Sequence, residues 1–353
     1  MPPERVRGGR RWQALLIITL FFFAVVGAAA IGWWYARESP PHMGPIVVIA
    51  VDAVPAESLP VYGAPRTDVP AIDALAADAV VFERAYAHSP QLLPAGASML
   101  SGLLPIDHGV RDDAGFALRD DARSLAELLR NRGFATGAAM SSFLLRRESG
   151  VAQGFAFFDA ELPEAAPSDT PALERDGALT LTAAEEWVRQ QSGQRFFLFV
   201  QVPPADADES VARLTELLKA KQLYDDATVV FVGARGNTGS GMALDERALR
   251  IPLLIKQPGA AGAGRRVPAV VQHVDLVPTL LDLVRAPIPG GLRGRSLRAI
   301  LDGDDVEDVP AVYAEALTAQ FRFGGHGVFA VSDDRFRYVR GVNDELVAIA
   351  PRT

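Results

Sequence analysis

The sequence predicts an α/β protein: a mostly parallel sheet flanked by helices, with a small antiparallel part at the C-terminus and one transmembrane helix at the N-terminus. Three observations predict it. Continuous apolar runs rich in β-branched residues, such as IVVIAV at 46–51, read as strands buried on both faces. These runs alternate with amphipathic stretches of helical period, the order that a parallel sheet covered by helices requires. Finally, residues 12–36 carry no charge, and a span needs about 20 apolar residues to cross a bilayer.

From the N-terminus onward, Arg5, Arg7, Arg10 and Arg11 precede the apolar stretch, and Trp33, Trp34 and Tyr35 follow it. This pattern predicts a cytoplasmic start and an aromatic belt at the far interface, with the body on the periplasmic or extracellular side. Ala28-Ala29-Ala30 also fits a signal-peptidase site. Because the apolar run continues past it, an uncleaved signal anchor is the expectation. Gly27 to Ala30 and Gly32 suit either close helix packing or lipid exposure. The expected organisation is a basic cytoplasmic segment at 1–11, the anchor at 12–36, a Pro-rich linker at 37–45, an α/β domain at 46–310 and an antiparallel subdomain at 311–353.

Within the body, Asp52 stands at the C-terminal end of the first strand, where open α/β sheets bind ligands. Asp68 is placed to cap a helix begun by Pro70, with Ile72, Leu75 and Ala76 on one face. A strand is expected at 79–82, a helix at 124–132 stopped by Gly133, and a strand at 134–140. Helices follow at 182–190, 209–221 and 274–284, alternating with strands at 196–202, 228–232 and 252–256. Strands at 328–332 and 335–340 flank Asp333-Asp334, a hairpin turn. Residues 161–176, rich in Pro, Ala and acidic residues, read as an exposed loop.

The chain is 49% hydrophobic and 22% charged, the balance of a folded protein. Beyond residue 38 there are 30 basic and 41 acidic residues, an excess of negative charge that disfavours nucleic acid as a partner. The absence of cysteine excludes disulfides, thiolate metal sites, cysteine nucleophiles and Fe–S clusters.

IVVIAVDAV at 46–54, VYGAPR at 61–66, PAIDALAADAVVFERAYAHSP at 70–90, ASMLSGLLPIDHGVRDD at 97–113 and SLAELLRNRGFATGAA at 124–139 lie in one collinear order. RIPLLIKQPG at 250–259, VDLVPTLLDLV at 274–284 and GRSL at 294–297 continue it. Together they resemble the sulfatases of the alkaline phosphatase superfamily. The resemblance implies a nucleophile two residues before a proline. Aligned on Pro94, that position is Leu92, Ala95 replaces the usual serine, and Gly96 replaces the arginine. Leucine has no lone pair with which to attack sulfur or phosphorus. Ser89, Ser98 and Ser101 are nearby and read as caps and packing residues.

The resemblance also implies a divalent cation held by carboxylates after the first strand and by an Asp-His/Asn-Gly segment after a later one. Asp52 is retained, but Ala234-Arg235-Gly236 occupies the second place, followed by Asn237. One carboxylate cannot supply the six or so oxygen ligands of a hard cation. No metal and no cofactor are therefore expected, and Arg235 is expected to pair with Asp52 in the metal's stead. The family's Asp-Pro-His-like element is replaced by Pro203, Pro204, Ala205 and Asp206. Arg235, Arg337 and His88 are candidate anion contacts, and Asp52, Leu92, Gly96, Arg235 and Asn237 mark a vestigial cleft.

The function expected from these losses is a membrane-anchored, catalytically inactive sulfatase-like protein, an accessory or scaffold subunit of an integral membrane protein complex. The sequence does not choose among a respiratory, photosynthetic, secretory or envelope-building complex. Residues 12–36 would contact the lipid bilayer. Two alternatives stand beside it. One is a sulfate- or phosphate-ester hydrolase or transferase with a rebuilt site, using Asp52, His88 or Asp107 with His108. The other is a binding module for anionic glycans through Arg235 and Arg337.

Overall fold

The computed structural model describes residue 19 and residues 25–27, 44–65, 68–162, 173–193, 195–236, 241–304 and 310–349. Residues 42–353 form one compact unit. The anchor expected at 12–36 lies, apart from residues 19 and 25–27, outside the described residues. Among the described residues no helix is long and apolar enough to cross a membrane.

The sheet grows around β1 (Ile46–Val51), whose every residue is buried. Val47, Ile49 and Val51 face one apolar layer and Ile46, Val48 and Ala50 the other, as the two-residue period of a strand dictates. In chain order the further strands of this sheet are β2 (Val80–Tyr86), β3 (Ala135–Met140), β4 (Phe157–Asp159), β5 (Phe196–Val202), β6 (Thr228–Gly233), β7 (Arg250–Lys256) and β8 (Arg266–Gln272). Their spatial order is β4-β3-β5-β1-β6-β7-β2-β8. All neighbours are parallel except β7, which runs antiparallel to both β6 and β2. A second sheet, β12-β11-β10-β9, is antiparallel and is built from Val312–Ala316, Val328–Ser332, Phe336–Arg340 and Glu345–Ala348 as β9 to β12.

Helices cover both faces of the large sheet. On one face lie α1 (Pro70–Asp78), α4 (Gly177–Gln190) and α5 (Ala207–Ala220), contributing Ile72, Leu181 and Leu214. On the other lie α2 (Leu92–Ser101), α3 (Leu125–Arg130) and α6 (Leu276–Leu283), contributing Leu92, Leu125 and Leu280. Ser124 and Glu127 form a reciprocal capping box at the start of α3. Gly133, at φ +81°, ends the turn that follows it.

Several expectations are corrected. Asp68 does not cap α1; its N-terminal N–H groups, of Ala71 and Ile72, are instead bonded at 2.9 Å by the Asp208 carboxylate of α5. A cap supplied from 136 residues away leaves no local pattern. β2 runs on to Tyr86 through a register shift, so its charged residues Glu83 and Arg84 hide it from an apolar-run reading. β4, β8, β9 and β12 were not expected. β4 is three residues long, and β12 is exposed throughout, so neither has a periodic apolar signal.

Candidate functional site

The C-terminal ends of the parallel strands gather the residues that matter. β1 delivers Asp52, and β6 is followed by Ala234 and Arg235. The backbone locks the two ends together: Ala234 donates its N–H to Val51, and Val54 donates to the Arg235 carbonyl. Arg235 then closes on Asp52 in a fork, Nε donating to Oδ1 at 2.6 Å and Nη2 to Oδ2 at 2.9 Å, while Nη1 donates to the Pro90 carbonyl at 3.3 Å. The side chains are 17% and 10% exposed, respectively, so the pair is largely withdrawn from water. Gly236 makes the close passage possible, since a Cβ there would lie 1.9 Å from the Arg247 carbonyl oxygen.

Two further carboxylates share the field of Arg235. Asp113 accepts the Leu93 N–H at 2.8 Å and so holds the first turn of α2. Burial raises its pKa; the Leu93 bond and Arg235 oppose the rise, and Asp112 and Asp52 add to it. Glu174 is raised as well, by partial burial and then by Asp52, with Arg235 pulling the other way. Burial also works against the charge of Arg235, but the bonds to Asp52 and the surrounding carboxylates outweigh it and raise the guanidinium's pKa further. A fixed cation thus sits among acids that hold their protons more readily than usual. That combination marks a functional-site candidate.

Behind Asp113, Gln91 accepts its N–H and donates to Asp112 and Thr318. Asp112 is fully buried and bonded by Arg322. Arg111 forks Glu315 of β9 at 2.7 and 2.6 Å. These bonds tie the 110–114 loop to the C-terminal sheet and fix the position of Asp113.

The structure places the other candidates apart from this chemistry. Leu92 is the first residue of α2 and is buried in the core. Gly96 lies against Leu145, whose Cδ2 is 3.0 Å from where a Cβ would stand. Asn237 lies outside the described residues. His88 is fully enclosed, with Nδ1 2.7 Å from the Tyr313 carbonyl, and presents no open edge to an anion. Arg337 uses every donor nitrogen on protein partners, Ser332, Leu244 and Glu246. Both anion contacts expected there are corrected on these grounds.

Asp107 and His108 do not form a dyad. Asp107 is forked by Arg293, whereas His108 points inward to Ser98. Val110 donates to His108 Nδ1, so Nε2 carries the proton and donates to Ser98; this tautomer cannot take a proton from the serine. The Ser101 hydroxyl is used on the Ala97 carbonyl. As for a metal, both oxygens of Asp52 are held by Arg235, and no cluster of three or more His, Asp or Glu suited to a cation occurs among the described residues. The residues present do not fit the family's ion.

Asp113 and Glu174 were missed as site residues. Asp113 closes the RDD run at 111–113, a paired acid beside a basic residue, and that was the available signal. Glu174 had none, being at the end of an acidic loop.

Comparison with known proteins completes the description. Residues 45–203 match the family model for sulfatases, and residues 242–346 match that for the C-terminal part of N-sulphoglucosamine sulphohydrolase. An ulvan-active sulfatase of Formosa agariphila is 20% identical over 80% of this chain and 62% of its own length. An N-acetylglucosamine-6-O-sulfatase of Bacteroides thetaiotaomicron is 29% identical over 37% of this chain and 24% of its own length. The chain therefore spans only part of these relatives. Among solved structures, the phosphonate monoester hydrolase of Agrobacterium radiobacter superposes with a TM-score of 0.71 at 18% identity, covering 86% of this chain and 88% of that one. A 2-O GAG sulfatase gives 0.72 at 15% identity, covering 87% and 85%.

These relatives are named as sulfatases, and this overturns the expectation of a catalytically inactive accessory or scaffold subunit. The reason for the error is physical. Losses were counted along the linear motifs, whereas Asp113 and Glu174, which share the field of Arg235, lie outside the positions that were compared.

Proposed function

The chain belongs to the sulfatase family of the alkaline phosphatase superfamily, and from that premise we propose that it hydrolyses sulfate or phosphate esters at a site rebuilt around Arg235. The observation that carries this reading is the Arg235 fork on Asp52 at the strand ends, beside two carboxyl groups with raised pKa. Saccharide sulfates, named for the relatives, are the first substrate class to test.

In this reading Asp52 fixes the plane of the guanidinium. Nη1, held only by a 3.3 Å bond to Pro90, turns to the ester's anionic oxygens. A preorganised cation aimed at developing charge contributes about 3–4 kcal/mol of transition-state stabilisation. Leu92 offers no nucleophile, so water attacks sulfur or phosphorus and Glu174 accepts its proton. Asp113, protonated more readily through burial, gives a proton to the departing ester oxygen. An uncharged stretch at 12–36 adds a membrane anchor, with the body outside the cytoplasm, to the same proposal; retention in carbonate-washed membranes tests it.

The decisive assay uses the purified full chain with 4-nitrophenyl sulfate, 4-nitrophenyl phosphate and a phosphonate monoester, with and without chelator. Turnover of at least one ester is expected, insensitive to chelator and lowered about 100- to 1,000-fold by Arg235→Ala. Rates equal in wild type and Arg235→Ala would reject the reading.

A further inference from the structure

A cavity lies away from the strand ends. It measures about 1410 Å³ and lies between the β2–β8 edge of the large sheet and the inner face of β10 to β12. Its lining is divided by chemistry. The floor is formed by buried residues, among them Tyr86, Arg250 and Arg337. The open lip carries an apolar strip, with Val342 and Val347 exposed and Ile349 partly so, beside the polar residues Asp334, Arg335, Asn343 and Glu345.

The charges on the floor are unequally matched. Arg266 is paired with Glu83, and Arg337 with Glu246, which also accepts from the Tyr86 hydroxyl. Asp245 is committed to the Ala248 N–H. By contrast, Arg84 donates only to backbone carbonyls, those of Pro268 and Asp334. Arg250 donates through Nε and Nη2 only to the Glu83 carbonyl, and its Nη1 has no hydrogen-bond partner among the described residues. The residue lines the cavity and is 5% exposed, yet Nη1 is not among the enclosed unpartnered atoms, so this nitrogen keeps access to solvent. Arg335 and Asp334, 3.9 Å apart, also line the cavity, and Glu345, on the exposed strand β12, is its carboxylate without a partner among the described residues. A buried guanidinium that lacks a carboxylate is costly unless an anion completes it.

We propose that this cavity binds an amphiphilic organic anion. Its phosphate, sulfate or carboxylate head lies against Arg250 and Arg84, which suit oxyanions by their planar donor forks, and its apolar body lies along Val342, Val347 and Ile349. The site is separate from Asp52 and Arg235 and does not depend on the ester chemistry proposed there.

Titration calorimetry on the full chain tests this with four probes: decyl phosphate below its micellar concentration, decanoate, inorganic phosphate and uncharged decyl maltoside. Saturable binding of decyl phosphate or decanoate at one site is expected. Inorganic phosphate should bind at least 10-fold more weakly, and decyl maltoside should not compete. Arg84→Ala and, independently, Arg250→Lys should each weaken the anionic amphiphile at least 10-fold, and Val347→Asp should weaken it without affecting inorganic phosphate. Binding to phosphatidylcholine vesicles only when phosphatidic acid is included, lost in Arg84→Ala, would assign the head to a membrane lipid rather than a free acid. No saturable binding of any anionic probe, equal binding of the maltoside, or binding unchanged in a folded Arg84→Ala variant would overturn the proposal.

Discussion

The guanidinium of Arg235 closes on both carboxylate oxygens of Asp52, at 2.6 and 2.9 Å, across 183 residues of chain. It thereby joins the ends of β1 and β6 with a side-chain clasp in addition to their ladder. Removing one partner leaves a largely buried charge without compensation, which costs about 3–5 kcal/mol. Arg235→Ala is therefore expected to lower the urea unfolding free energy by that amount. The double variant Asp52→Ala/Arg235→Met should recover most of it, because both charges are gone. Equal stabilities for wild type and Arg235→Ala would show that the clasp does not hold the strand ends.

Asp208 caps a helix to which it does not belong. Val69, at the N-cap of α1, has no side-chain acceptor, and Asp208 Oδ1 accepts from both Ala71 and Ile72 at 2.9 Å. The carboxylate also meets the positive end of the helix dipole. Asp208→Ala should cost about 1–2 kcal/mol and Asp208→Asn about 0.5 or less, since the amide retains an acceptor. Asp68→Ala should leave stability unchanged. Chemical denaturation of the three variants checks the order.

What could be read from the sequence follows from how far each signal reaches. β1, β5 and β6 are continuous apolar runs buried on both faces, and each was legible from its own residues. The start of α3 was equally local, since Ser124 and Glu127 lie three residues apart. β8 was not legible, because Arg266 and Pro268 interrupt its apolar pattern at the cavity edge. Of the candidate site, Asp52 and Arg235 were found because each occupies a position that could be compared along a motif. Asp113 and Glu174 depend on the path of two loops, which no period or spacing encodes.

Three buried histidines should make the protein sensitive to mild acid. Burial lowers His88 to about 4 and His108 and His273 to about 3, from an ordinary value of 6.5. Below pH 6.5 the unfolded chain takes up protons that the folded chain refuses, so the stability present above 6.5 is lost as pH falls toward 4. Each histidine contributes a slope of up to about 1.4 kcal/mol per pH unit. Asp275 opposes them: burial raises it to about 6, so the folded state holds a proton there that the unfolded state releases, and its contribution grows as pH falls. Together these four groups contribute a slope of about 3 kcal/mol per unit between pH 6 and 5, and Asp113 and Glu174, also raised, reduce it further. His88→Gln should reduce it by about one proton's worth. Urea titrations at half-unit pH intervals measure the slope, and a flat profile would show that the folded protein protonates these rings freely.

Asp113 gives the proposed hydrolysis a pH signature that separates chemistry from architecture. Its carboxyl has a raised pKa, chiefly through burial, and the Leu93 N–H bond and Arg235 limit the rise. If the protonated form donates to the leaving oxygen, kcat should fall as pH rises through that pKa. Asn can still accept from Leu93 through its amide oxygen, so Asp113→Asn keeps the first turn of α2 in place while removing the titrating proton. The variant should lose about 100-fold in kcat for esters with poor leaving groups and lose the alkaline limb of the profile. For 4-nitrophenyl esters, whose leaving group departs without protonation, the loss should be smaller. KM should change little, because Arg235 and not Asp113 contacts the ester oxyanion in this reading. An equal loss for good and poor leaving groups would assign Asp113 to holding the helix rather than to proton transfer.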